Sequence, residues 1–248
     1  MIVVIVASDQ ENRFLEKRIS VESKSIHGGT LFLEGLLGGK KILAVKSGVG
    51  PKKAKSAAKQ VLKRCQPSFV ISIGAAGALD PKLILGECVI VENVLRISKD
   101  LQKEEKKFTC DETFSQKALS CIKTGPQSIT KGNCLTTRAF IHLKEEKEKL
   151  FSTYHAQVVD MESAALAEIF CLEKIPFVNI RIISDTAELD IIDMNLLHKI
   201  KKSSGMAGLI LHFMKNPKAF ISAWKLRRAL NRTSIQISEI AETLIREL

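Results

Sequence analysis

Several features are missing from this chain of 248 residues, and each absence closes off a class of protein. No run of 18 or more apolar residues occurs, so no segment reads as a membrane-spanning helix. The six cysteines, at 65, 88, 110, 121, 134 and 171, never lie closer than 11 residues apart and form no CxxC pair. That pattern speaks against a disulfide frame or a zinc site and fits reduced, mostly buried thiols of a cytoplasmic protein. His27, His142, His155, His198 and His212 form no ligand-spaced pair, so neither a metal nor another cofactor is expected. Neither GxxxxGK followed by Ser or Thr nor GxGxxG is present, which leaves Walker-type and dinucleotide readings without support. The apolar run Ile2–Ala7 lacks a basic leader and meets Asp9 directly, so it reads as a first strand rather than a signal peptide.

Acid is absent from one long stretch. Between Met194 and Ser238 there is no Asp or Glu, while nine Lys or Arg residues fall there. The whole chain carries +11, so the other 203 residues carry only +2. Such a block is a solvated face or a contact for an anionic partner, either nucleic acid or a membrane surface.

What is present is a globular composition, 45% hydrophobic, with enough apolar side chain for a sizeable core. Apolar runs rich in Val and Ile recur at Ile2–Ala7, Lys41–Lys46, Phe69–Ile73, Cys88–Leu95, Val158–Asp160 and Phe177–Ile183. Near-continuous hydrophobicity predicts strands buried on both faces. Between them, Pro51–Cys65 and Met161–Lys174 carry helical spacing, the first opened by proline and the second stopped before Pro176. Alternating strands and helices predict an α/β fold, a three-layer sandwich about a central mixed, mainly parallel sheet. With no repeat or low-complexity linker, residues 1–214 read as one domain and 215–248 as a basic amphipathic helical extension.

Two glycine-containing segments follow strands, Ser47-Gly48-Val49-Gly50-Pro51 and Gly74-Ala75-Ala76-Gly77-Ala78-Leu79. Small residues there admit a ligand to the backbone at the C-terminal edge of a sheet, or else simply make tight turns. Two acids stand out as well. Glu162, in Val159-Asp160-Met161-Glu162-Ser163, opens a helix, where the helix dipole alone would suit it. Asp185, in Arg181-Ile182-Ile183-Ser184-Asp185, ends a very apolar strand. Burial at such a rim makes a carboxyl a competent general acid near neutral pH, whereas an exposed one would merely cap the next segment.

Taken in order, Val45–Pro51, Ile71–Pro81, Thr136–Ile141, Val158–Ala167 and Phe177–Ala187 resemble the nucleoside phosphorylase and nucleosidase superfamily. The branch they are most similar to is 5′-methylthioadenosine/S-adenosylhomocysteine nucleosidase. The resemblance implies cleavage of the N-glycosidic bond of a 5′-substituted adenosine through an oxocarbenium-like transition state. It implies that Asp185 protonates N7 of the leaving adenine, with Ser184 holding the carboxyl, and that Glu162 binds ribose hydroxyls beside Met161. Phe140 would stack on the purine and the Ile141 backbone would read its edge. Gly74 and Ala75 would line the site. Glu11, opening the first helix, would activate water, with Asp9 and Asn12 as nearby rivals. A solvated acid at a helix start is the plain alternative for Glu11.

The match has gaps. Ala75 stands where nucleosidases of the family often have Ser, Arg138 where an Asp is common, and Ser72 where related phosphorylases carry a phosphate-binding Arg. The segment after Val94 is shorter and more charged than usual. The tail from Lys215, with Phe220, Ile221 and Trp224 among basic residues, suits an anionic membrane surface or docking on the domain or a partner subunit. Together with the altered 5′ region it resembles the hopanoid-associated branch, which removes adenine from adenosylhopane. The expected partners are a small purine nucleoside, a second copy in a homodimer and a membrane surface on its inner face, but no nucleic acid. Phosphorolysis and a catalytically silent nucleoside-binding protein stand as alternatives.

Overall fold

The computed structural model describes residues 1–122, 128–188 and 215–247. Ten strands form one sheet: β1 (Ile2–Val6), β2 (Ser20–His27), β3 (Thr30–Leu37), β4 (Lys40–Lys46), β5 (Phe69–Ala78), β6 (Cys88–Ile97), β7 (Glu104–Thr109), β8 (Ile129–Thr136), β9 (Val158–Asp160) and β10 (Phe177–Asp185). The described helices are α1 (Asp9–Glu16), α2 (Pro51–Arg64), α3 (Glu112–Ile122), α4 (Lys144–Tyr154), α5 (Ser163–Leu172) and α6 (Pro217–Glu247).

The middle of the sheet is parallel: β1 lies between β4 and β5, and β10 pairs with β5 on the far side. Antiparallel β2 and β3 extend one edge. At the other end β5, β9, β8, β6 and β10 close into a ring, because β10 pairs with both β6 and β5. Alternation along β1 shows the three layers. Val3 and Ile5 pack in the cluster holding α2 and α5, while Val4 and Val6 pack in the one holding α1, α3 and α6. Both faces are therefore buried, which is why the strand reads as an unbroken apolar run.

One expectation changes. The segment Gly74–Leu79 is not a loop after a strand, because β5 runs on to Ala78 and pairs with β10 and, through Gly77 and Ala78, with β9. The boundary expected at 214 lies outside the described residues, and of the two alternatives for the tail the second half of α6 takes docking on the domain. Ile237, Ile240, Ala241, Leu244 and Ile245 follow helical spacing and are buried in the same cluster as Leu15 and Val4. Arg18 also clasps this half, donating to Ser238 Oγ at 3.0 Å and pairing with Glu239 and Glu242. The first half is the basic, exposed part, carrying Ile221, Trp224, Lys225, Arg227 and Arg228. No described helix is long and apolar enough to cross a membrane.

Candidate active site

The first loop turns back on itself at a capping box. Ser8 caps α1 by accepting the Glu11 N–H, and Glu11 accepts the Ser8 N–H in return. The same carboxylate is tied to the sheet. Its Oε2 accepts from Ala7 N at 3.0 Å and Ser8 N at 2.7 Å, and its Oε1 accepts from Ala75 N at 2.8 Å. Glu11 is buried, so the solvated alternative does not describe it. Three of its roughly four lone-pair positions are filled by backbone donors, which fixes the group and leaves one for a proton or a water. Of its rivals, Asp9 is exposed and paired with Lys46, and Asn12 is buried with its Nδ2 donating to Glu16.

Glu162 stands just before α5, and its Oε1 accepts the Gly50 N–H at 2.5 Å. It is buried among charge. Desolvation first, and then the Asp160 carboxylate beside it, push its carboxyl up to about 7, against the pull of the Gly50 N–H and Arg181. Beneath it lies a buried ion pair. Arg181 on β10 donates from Nε to Asp160 Oδ2 at 2.9 Å, and from Nη2 to Ser72 Oγ at 3.0 Å and Ser163 Oγ at 2.7 Å. Thr136 donates to the other Asp160 oxygen at 2.9 Å. Removing one member of such a network would leave a buried charge unpaired, so it acts as a rigid floor.

Asp185 is placed by a slip in register. Between Ile183 and Asp185 the β10–β5 pairing shifts, the mark of a bulge, which re-aims a side chain at a strand end. The Asp185 carboxyl lies over Gly77, where a built Cβ would come within 3.0 Å of Oδ2. A Cβ on Gly74 would meet Glu11 Oε1 at 3.1 Å. Gly74 and Gly77 are thus the backbone positions against which the two candidate catalytic carboxyls rest, about 10 Å apart along the strand and, being three residues apart, on opposite faces of it. Asp185 Oδ1 is 3.0 Å from Ser184 Oγ, and Oδ2 accepts from Lys147 Nζ at 2.7 Å. Asp185 is thus held between Ser184 and Lys147.

A cavity of about 30 Å³, room for one or two waters, is lined by Glu11, Glu162, Gly74, Ala75, Ser72 and Arg181, with Ser47 and apolar neighbours. The structure therefore brings together Glu11, Glu162, Gly74 and Ala75 at one point of β5, and Asp185 with Ser184 further along it. Phe140, Ile141 and Met161 do not line this cavity. Phe140 is half-buried in the turn before α4, the Ile141 side chain packs with Leu79, Leu135 and Leu150, and Met161 is half-buried between Asp160 and Glu162. Lys147, Asp160, Arg181 and Ser163 are contacting neighbours of these residues that the sequence does not single out. Three of these sit inside the VDMES and RxISD motifs and were within reach. Lys147, in the run KEEKEK, gives no signal beyond falling on the apolar stripe of α4.

The model of the Phosphorylase superfamily matches residues 1–210. Among curated proteins, 5′-methylthioadenosine/S-adenosylhomocysteine nucleosidase of Staphylococcus epidermidis is 26% identical over 198 residues, 75% of this chain and 87% of the relative. That of Bacillus cereus is 28% identical over 204 residues, covering 75% and 86%. Among solved structures, futalosine hydrolase of Helicobacter pylori superposes with a TM-score of 0.79 at 17% identity, covering 100% of this chain and 97% of the other. The Neisseria meningitidis 5′-methylthioadenosine/S-adenosylhomocysteine nucleosidase gives 0.79 at 20% identity, covering 100% and 99%. At such identities the superpositions speak for the fold alone.

Proposed function

The chain belongs to the Phosphorylase superfamily, and from that premise we propose that it hydrolyses the N-glycosidic bond of a 5′-substituted adenosine and releases adenine. The observation that carries this reading is the pair of buried carboxyls, Glu11 and Glu162, on one water-sized cavity, with Asp185 further along the same strand. In this reading the base meets Asp185 and the sugar meets the two glutamates.

As the C1′–N9 bond breaks, its electron pair passes to the purine and Asp185 gives its proton to N7. The sugar becomes cationic, and the carboxylates of Glu11 and Glu162 stabilise it. Water adds at C1′ and loses a proton to Glu11, so that one water is consumed for each ribose and adenine formed. Ala75 contributes its N–H to Glu11, so the serine common elsewhere in the family is not needed to seat that group. Phe140, Ile141 and Met161 are assigned to the base and ribose walls around the cavity.

Water is favoured over phosphate as the nucleophile by charge. Among the described residues, two carboxyls line the cavity, and the one guanidinium there, Arg181, is already engaged by Asp160 and Ser72. Methylthio, homocysteinyl and lipid-borne adenosines are all admitted as substrates, with the exposed first half of α6 available to a membrane and a second copy available to close the 5′ side. The test is Asp185→Asn. Replacing a general acid costs about 10²–10⁴-fold in turnover, and purine affinity should persist. A variant that releases adenine at the wild-type rate contradicts the assignment.

A further inference from the structure

On the hydrolytic reading above, we infer that Lys147 is a positioning residue for Asp185, supplying the positive charge against which the carboxylate forms as its proton passes to the purine. Lys147 is fully buried, with 0% exposure, a condition almost never met by lysine unless it is paired. Its Nζ donates to Asp185 Oδ2 at 2.7 Å and to the Thr186 carbonyl at 2.8 Å.

The placement on α4 argues against a purely structural role. Residues 147, 150, 151 and 154 make the inward stripe of the helix, and Leu150, Phe151 and Tyr154 join an apolar cluster. An apolar residue at 147 would complete that stripe, and replacing a buried ion pair by packed apolar groups is often neutral or stabilising. The chain instead places an ammonium against the candidate acid.

Both protonation states of Asp185 are accommodated. Ser184 Oγ lies 3.0 Å from Asp185 Oδ1 and 3.2 Å from the Ala76 carbonyl. With Asp185 protonated on Oδ1, its O–H donates to Ser184 and the serine hydroxyl donates to Ala76. With Asp185 ionised, the serine hydroxyl turns to the carboxylate. The second state is reached when N7 has taken the proton and the C1′–N9 pair has moved to the base, and there the Lys147 ammonium faces the full carboxylate charge. A fixed cation aimed at charge that develops in the transition state lowers the barrier and leaves substrate binding nearly unchanged.

The full-length protein and its Lys147→Met, Lys147→Arg and Asp185→Asn variants would be assayed on 5′-methylthioadenosine and on p-nitrophenyl riboside, whose leaving group departs as a stable anion. On the nucleoside, Lys147→Met should lower kcat roughly ten- to hundredfold with KM within about threefold, and Lys147→Arg should recover part of the loss. On the activated riboside, wild type and Lys147→Met should agree within about threefold, because no proton is needed there. If Lys147→Met fails to fold, Lys147→Gln takes its place. Equal losses on both donors, or no loss on the nucleoside, overturn the inference while an inactive Asp185→Asn leaves the hydrolytic reading standing. Wild-type silence on 5′-methylthioadenosine, S-adenosylhomocysteine and adenosylhopane alike, or full turnover by Asp185→Asn, overturns both.

Discussion

Among the described carboxyls, Glu162 is the one raised furthest from its ordinary range. Its carboxyl is raised to about 7 by burial and by Asp160, whereas an unfolded chain ionises it in the ordinary glutamate range. The folded state therefore binds more protons than the unfolded one between roughly pH 4.5 and 7, and stability from this group falls as pH rises through that window. Glu162→Gln removes the burden of burying the charge. The variant should match wild type in Tm near pH 4 and exceed it at pH 8, by a stability on the order of 3 kcal/mol. Thermal melts across that range check the sign; a variant less stable at pH 8 than at pH 4, relative to wild type, contradicts it. At this scale the acids were legible because they stood in unusual company, Glu162 inside VDMES and Asp185 at the end of an apolar strand. Their partners were not. Lys147 and the Gly50 N–H reach them from segments distant in sequence, and only packing reveals such pairs.

Elements were legible where both faces are buried and blurred where only one is. β1, β5 and β10 stand out as apolar runs. β2 is exposed along most of its length, and β7 is mostly charged, so neither has the pattern that marks a strand. The glycines of β5 read as a turn for a physical reason: lacking side chains, they carry no strand signal, yet their bareness is what lets two carboxyls rest on them. α6 reads as a basic amphipathic extension, and its net positive charge belongs to its first half. Leu244, buried in the second half, should cost about 2–5 kcal/mol when cut to alanine. Trp224→Ala, on the exposed part, should cost much less. Urea unfolding of the two variants decides whether the C-terminal helix is part of the body; equal, small losses would mean that it is not.

For the whole molecule, the sheet arrangement explains how residues from five elements meet. Glu11 comes from α1, Glu162 from the start of α5, Lys147 from α4, Asp185 from β10, and β5 carries the glycines on which two of the carboxyls lie. Closing β5 through β10 into a ring places the bulged end of β10 against the strand that Glu11 touches. The fold class followed from alternation of strands and helices, while the ring did not, since it depends on β10 pairing with both β5 and β6. The central claim is hydrolysis by an acid on one side of a nucleoside and a water on the other. It is tested most directly by chromatographic measurement of free-base release from methylthioadenosine, S-adenosylhomocysteine, adenosine and inosine, each with and without phosphate. The account predicts adenine release that is indifferent to phosphate and strongly reduced in Asp185→Asn; base release that occurs only when phosphate is added would contradict it.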